Sequence, residues 1–153
     1  MKALSGIVAA SVALLTTTGS VQAQGGASTD ALADALGKCM VAKSTGEDRL
    51  VVVRWTLTSI ASSPQAADVV SVRPGKKDES DRKIAALFTR LMTVDCRAET
   101  TALMATRDSS AFGRASGPLG RVAIQELLTD PTAAAAMGAF VRYLNPSDFT
   151  GVN

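Results

Sequence analysis

Residues 83–96 read KIAALFTRLMTVDC and carry the clearest secondary-structure signal in the chain. Their apolar side chains recur at intervals of three and four residues, which is the spacing of one face of an α-helix; they are Ile84, Leu87, Phe88, Leu91 and Met92. Ser80 or Asp81 can cap this helix, and we expect it to run to about Arg107 as the longest element. Cys96 lies one turn beyond Met92, at the edge of the same face.

The region before this helix predicts two more helices. Ser28 and Thr29 can cap a helix that begins near Asp30 and carries Cys39 on its apolar face. Residues 50–61, LVVVRWTLTSIA, are rich in β-branched side chains, which favours a strand. The same segment also has a helical face, and we interpret it as a helix; that face carries Leu50, Val53, Leu57, Ile60 and Ala61.

Capping residues and breaks place the ends of the other segments. Thr45 followed by Asp48 resembles a capping arrangement before the second helix, and residues 65–79 form the longest irregular region. We expect a turn near Ser116-Gly117 and a helix from Pro118 to Leu128. Asp130-Pro131 is a typical start for a last helix, whose predicted inner face carries Met137, Phe140, Val141 and Leu144. The fold class that follows is all-α, an irregular bundle of five or six helices.

The N-terminus is typical of a secretory signal peptide. Lys2 supplies a positive charge, residues 7–15 (IVAASVALL) form a short apolar core, and Val21-Gln22-Ala23 offers a cleavage site. We therefore expect residues 1–23 to be removed and residues 24–153 to form a single helical domain with mobile ends, located in the periplasm or secreted. The mature chain has no predicted integral membrane segment. A net charge of only +2 does not indicate binding to nucleic acid.

The two cysteines support the same compartment. Cys39 and Cys96 are the only cysteines in the chain, and two cysteines in an exported protein predict one disulfide. The absence of a C-x-x-C spacing argues against a redox-active pair. The two cysteines are 57 positions apart. A disulfide that closes a loop of this length stabilises the folded state by about 4 kcal/mol, because it lowers the entropy of the unfolded chain.

Catalytic chemistry has few residues to use. The chain contains no histidine, which excludes Ser-His-Asp and Cys-His catalysis and the usual histidine-based zinc site. No phosphate-binding glycine motif or nucleophile elbow occurs. We therefore expect no catalytic residue, no cofactor and no metal site, and we interpret the protein as non-enzymatic.

One pair of carboxylates is unusual. If the third helix is regular, Asp95 and Glu99 fall on its apolar face, one turn apart. Burial of such charges requires partners, and the candidates are Arg49, Arg54 and Arg121. These five residues form a predicted buried charge network. The functional alternative is a pair of catalytic carboxylates, as in retaining glycosidases.

Three apolar residues of the second helix lie off its predicted inner face. Val51, Val52 and Trp55 are therefore candidates for an interface with another protein or with a second copy of the chain. The alternative for Trp55 is a place in the core, which is common for a lone tryptophan in an apolar helix.

Short motifs through residues 36–131 resemble a set of small exported bacterial helical proteins of unknown function. They are Leu36-Gly37-x-Cys39, Thr45-Gly46-x-Asp48-Arg49, Trp55, Cys96-x-x-Glu99, Leu119-Gly120-Arg121-Val122-Ala123 and Asp130-Pro131. The resemblance implies a helical exported domain with the two cysteines joined, and it implies no activity.

Three functions remain open from the sequence. The leading hypothesis is a non-enzymatic periplasmic binding or interaction protein of unknown partner. A more specific form of it is an inhibitor or immunity protein against a secreted cell-wall hydrolase. The alternative from another class is a small carboxylate-dependent hydrolase that uses Asp95 and Glu99.

Overall fold

The computed structural model describes residues 27–151, and the predicted signal peptide lies outside them. Six α-helices occur in this range: α1 Thr29–Lys43, α2 Gly46–Ala61, α3 Lys76–Arg90, α4 Arg97–Met104, α5 Ala111–Leu128 and α6 Pro131–Gly138. A π-helical turn at Leu91–Asp95 joins α3 to α4, and 3₁₀ turns occupy Pro64–Ala66, Ala139–Tyr143 and Pro146–Phe149. The predicted all-α class is confirmed. Within residues 27–151, no helix combines the length and apolar character that crossing a membrane requires.

The helix starts follow from local hydrogen bonding. The Ser28 hydroxyl accepts from the backbone of α1, and Thr45 and Asp48 form a reciprocal capping box at the start of α2. Asp130 caps α6, with Pro131 in its first turn. These three starts agree with the sequence predictions. The start of α3 differs, because α3 begins at Lys76 rather than at Ser80 or Asp81.

The core lies between α1 and the helices around it. Helix α1 packs against α4 and α5, while α2 packs against α3 and α5. The largest fully buried side chains come from α1, the π turn and its end, and α5; they are Leu36, Met40, Leu91, Cys96 and Leu119. The face predicted for α3 is confirmed, since Ile84 and Leu87 are also buried.

Gly37 is the point of closest approach between α1 and α5. A Cβ atom at this position would lie 2.8 Å from the Ala115 carbonyl oxygen and 2.9 Å from Cγ of Pro118. Only a residue without a side chain fits there. Helix α5 continues through Pro118, so the predicted turn at Ser116-Gly117 is wrong. The proline ring lies against α1 at Gly37, and this packing offsets the hydrogen bond that a proline removes from a helix interior.

The disulfide between Cys39 and Cys96 is confirmed, with the two Cα atoms 5.9 Å apart. It ties α1 to the end of the π turn, where the Cys96 backbone N–H donates to the Leu91 carbonyl oxygen at 2.7 Å. A bond spanning five residues adds one residue to the helical turn. The single helix predicted to reach Arg107 is therefore wrong, because the chain divides at Cys96 into α3 and α4.

Two predicted inner faces also differ from the structure. On α2, Val53 is buried as predicted, but Leu50, Leu57 and Ile60 are 44%, 51% and 59% exposed, because α3 and α5 contact α2 on the side that carries Val52 as well as Val53. At the C-terminus, α6 ends at Gly138 and a 3₁₀ turn follows. The change from 3.6 to 3 residues per turn breaks the predicted face, and its members are exposed: Met137, Phe140, Val141 and Leu144.

Candidate functional site

The predicted charge network does not assemble, and Arg90 takes its place. The Arg90 guanidinium lies between two carboxylates, with Nη2 2.7 Å from Asp48 Oδ2 and Nη1 3.1 Å from Asp95 Oδ2. Asp48 belongs to the capping box of α2, so Arg90 connects the start of α2 to the π turn. Burial alone would raise the pKa of Asp48, but hydrogen bonds from Thr45 and Arg90 outweigh it and bring the pKa below the usual 3.8.

The other members of the predicted network lie elsewhere. Arg49 forms an ion pair with Glu126 on α5 and also donates to the Ser44 carbonyl oxygen at 3.1 Å. Arg54 and Arg121 are exposed, and Glu99 is half-buried. In the described part of the chain, none of these last three residues is in an ion pair.

The π turn explains why the prediction failed. The extra residue at positions 91–95 rotates everything after it by about 100° relative to a regular helix. The interval from Asp95 to Glu99 also crosses the division between α3 and α4 at Cys96. The nearby Arg90 guanidinium compensates the charge of Asp95 electrostatically, although the buried Oδ2 atom has no hydrogen-bond partner among the described residues.

The candidate interface on α2 is largely part of the core. Val52 is 5% exposed and lies inside the hydrophobic cluster, while Val51 and Trp55 are half-buried and pack against it. The indole N–H of Trp55 donates to Asp81 Oδ1 on α3 at 3.0 Å. These contacts are within the chain, so the three residues do not form one free surface, although Val51 keeps part of its side chain accessible. The core alternative for Trp55 is the better description.

An open groove lies between α2 and residues 70–83, and we call it the α2–α3 groove. Its volume is about 550 Å³. Its apolar lining includes Val51, Leu57, Val70 and Val72. Its cationic lining consists of Arg54, Arg73, Lys76 and Lys83.

The electrostatics of the α2–α3 groove are strongly positive. Glu79 is the only carboxylate in its lining, and it accepts from Lys76 at 2.5 Å and from Lys83 at 2.7 Å. These hydrogen bonds lower the pKa of Glu79 to about 2, so this carboxylate is charged at neutral pH. Arg54 and Arg73 have no ion-pair partner among residues 27–151. The groove therefore keeps two unpaired guanidinium groups beside an apolar surface.

Sequence reasoning missed this groove because its cations are scattered along the chain. From the sequence, Arg54 is only a candidate partner for Asp95 and Glu99, and Lys76 falls within the predicted irregular region at residues 65–79. Only the packing of α2 against α3 brings Arg54 near Lys83. The usable signal was the excess of Lys and Arg over acidic residues at positions 73–77, RPGKK.

Residues 27–151 contain no cluster of three or more acidic or cysteine side chains that could hold a metal ion. Both cysteines are joined in the disulfide.

Comparisons of the chain with protein-family models, with curated proteins and with solved structures gave no match.

Proposed function

We propose that this chain is an exported, non-enzymatic binding protein and that the α2–α3 groove binds an acidic segment of a partner protein. The observation that carries the proposal is the pair of unpaired guanidinium groups, Arg54 and Arg73, beside an apolar floor. Export is supported by the disulfide, which persists in oxidising compartments, and by the signal-like residues 1–23.

Charge complementarity identifies the chemistry of the partner. The full chain has a net charge of only +2, so four cations and one carboxylate in a single groove are a local concentration of positive charge. Such a surface attracts acidic partners and disfavours basic ones. Because Lys76 and Lys83 share Glu79, the two arginines are the groups left to pair with carboxylates of the partner.

The shape of the α2–α3 groove favours a peptide segment over a small anion. Its α2 wall extends from Val51 to Ala61, which is about 15 Å along a helix axis. An extended peptide of roughly five residues has this length. Leu57, in the middle of the wall, is 51% exposed and offers an apolar contact between the charged ones. A segment that alternates acidic and apolar side chains would use both features.

A binding experiment with defined peptides tests the proposal. The probe is a short fluorescent peptide that alternates Asp and Leu, with a Lys and Leu peptide of equal length as the charge control. Fluorescence anisotropy with the oxidised mature protein should show binding of the acidic peptide that weakens as salt is raised. The basic peptide should bind much more weakly.

Variants locate the binding in the groove. Two exposed ion pairs of about 0.5 kcal/mol each correspond to roughly fivefold in Kd, and Arg54→Ala/Arg73→Ala should lose this amount. The matched control is Arg82→Ala, which removes an exposed arginine of α3 that already pairs with Asp78 and does not line the groove. Equal binding of the acidic peptide by the wild type and the double variant would show that the groove is not the site.

A further inference from the structure

A second cavity lies where α4 and α5 meet α1, and we call it the α4–α5 cavity. Its volume is about 490 Å³, which is within the range of small-molecule sites, about 300–1,000 Å³. Its walls are mainly apolar, with Leu36, Met92, Leu103, Met104, Ala111 and Phe112 among the lining residues. We propose that this cavity binds a medium-chain fatty acid.

The walls combine fixed and adaptable parts. Leu36, Leu103 and Ala111 belong to the buried core and give the cavity a rigid floor. The Phe112 ring is held edge-to-face against Phe88, with centroids 5.3 Å apart. Met104 is 65% exposed at the mouth, and its flexible thioether can adjust to an alkyl chain. These features suit a long apolar ligand.

Arg107 supplies the charge at the mouth. It lines the cavity, and no acidic side chain in the described residues forms an ion pair with it. The neighbouring Asp108 is engaged by Arg114 at 2.7 Å and by the hydroxyl and backbone of Ser110. The guanidinium of Arg107 is therefore free to receive one carboxylate from a ligand.

The backbone at Arg107 is an independent sign of a functional position. Its φ of 56° makes it the one non-glycine residue in the left-handed region among residues 27–151. The position follows the end of α4, where glycine is the usual choice. An arginine there carries a conformational cost that glycine would avoid, and such outliers cluster at ligand sites.

The wall presents one free cation on a mainly apolar surface. Thr100 belongs to the wall, but its Oγ1 atom is buried and has no hydrogen-bond partner within the described chain, so this hydroxyl is not accessible to a ligand. An apolar ligand with a single polar end therefore matches the cavity, with its chain among the core residues and its carboxylate at Arg107.

Calorimetric titration of the oxidised mature protein with decanoate, below its micelle concentration, tests the proposal. Decanoate should bind with a micromolar Kd, and decanol, which has the same chain without the charge, should bind roughly tenfold more weakly. Acetate, which has the charge without the chain, should not bind. Absence of decanoate binding up to millimolar concentration would overturn the proposal.

Two pairs of variants place the ligand. Arg107→Gly keeps the left-handed backbone and removes the charge, so it should weaken decanoate about tenfold and leave decanol unchanged, whereas Arg107→Lys should retain most of the affinity. Met104→Trp should block the mouth, and Met137→Trp, at a methionine of similar exposure outside the cavity, should bind like the wild type. Unchanged decanoate binding by both Arg107→Gly and Met104→Trp would refute the site.

The double variant of the α2–α3 groove separates this inference from the proposed function. Arg54→Ala/Arg73→Ala alters only the α2–α3 groove, so it should bind decanoate like the wild type. Loss of decanoate binding in this variant would assign the ligand to the groove and overturn the cavity proposal. Circular dichroism of every variant should match the wild type before the affinities are compared.

Discussion

Substitution of Gly37 by alanine should destabilise the fold, although the same change stabilises most helices. Gly37 lies inside α1, where alanine is favoured over glycine by about 0.8–1 kcal/mol. The added Cβ would, however, lie 2.8 Å from the Ala115 carbonyl oxygen and 2.9 Å from Pro118 Cγ. Both atoms are fixed in α5, one in the backbone and one in a proline ring, so neither can rotate away. The helices must separate to accept the methyl group.

The net effect follows from these two opposing contributions. Overpacking of a well-packed core costs about 1–3 kcal/mol, and contact with a backbone atom places Gly37→Ala in the upper part of this range. After subtraction of the gain in helix propensity, the free energy of unfolding should fall by about 1–2 kcal/mol. In a domain of this size, the melting temperature should fall by roughly 3–10 °C.

Urea unfolding of the oxidised mature protein, followed by far-ultraviolet circular dichroism, measures this effect. The matched control is Gly120→Ala, since Gly120 lies inside α5 and a Cβ atom there would meet nothing within 4 Å. The control should gain up to about 1 kcal/mol from helix propensity. If Gly37→Ala also gains stability, the close approach of α1 and α5 is refuted.

Three further predictions use the same unfolding assay. Reduction of the Cys39–Cys96 disulfide, which closes a loop over a separation of 57 residues, should lower the free energy of unfolding by about 4 kcal/mol; a loss below about 1 kcal/mol would contradict this. Thr100→Val should stabilise by about 1 kcal/mol, because it removes a buried hydroxyl without a partner, and a destabilisation would show that the hydroxyl has one. Asp48→Asn should be less stable than the wild type at pH 6. Because the folded-state pKa of Asp48 is lowered, that difference should shrink as pH falls below about 3.9, and a difference that stays constant down to pH 2 would exclude the charge as its cause.

The features that the sequence predicted correctly depend on chemistry that is local in the chain. The Thr45–Asp48 capping box and the Asp130 cap satisfy backbone groups within three residues, so neighbouring side chains suffice to identify them. The disulfide was predictable for another reason, since a chain with only two cysteines leaves one possible pairing.

The features that the sequence predicted wrongly depend on contacts between distant parts of the chain. Helix α2 is apolar on several sides, so its spacing alone could not distinguish the face with Val52 from the face with Leu57. The contact with α3 and α5 made that choice. Pro118 predicted a break, and only the glycine opposite it, on α1, shows why α5 can continue. Nothing in residues 91–95, LMTVD, marks the place of an extra residue.

The candidate sites were less predictable than the fold. Arg54 lies on α2 and Arg73 lies in the irregular segment before α3, so their common groove exists only after α2 and α3 pack. The backbone conformation of Arg107 also has no sequence signal, because arginine gives no warning of a left-handed φ. Both sites can therefore be recognised only in the three-dimensional structure.

The π turn also makes the length of the segment at Leu91–Asp95 critical. Deletion of one residue there would restore an ordinary helical ladder, in which each residue turns by about 100°. Cys96 would then swing by more than a quarter of a turn, out of reach of its partner sulfur, and the side chains of α4 would follow it. A relative of this protein that lacks both cysteines would be free to lose that residue, whereas one that keeps them would have to retain it.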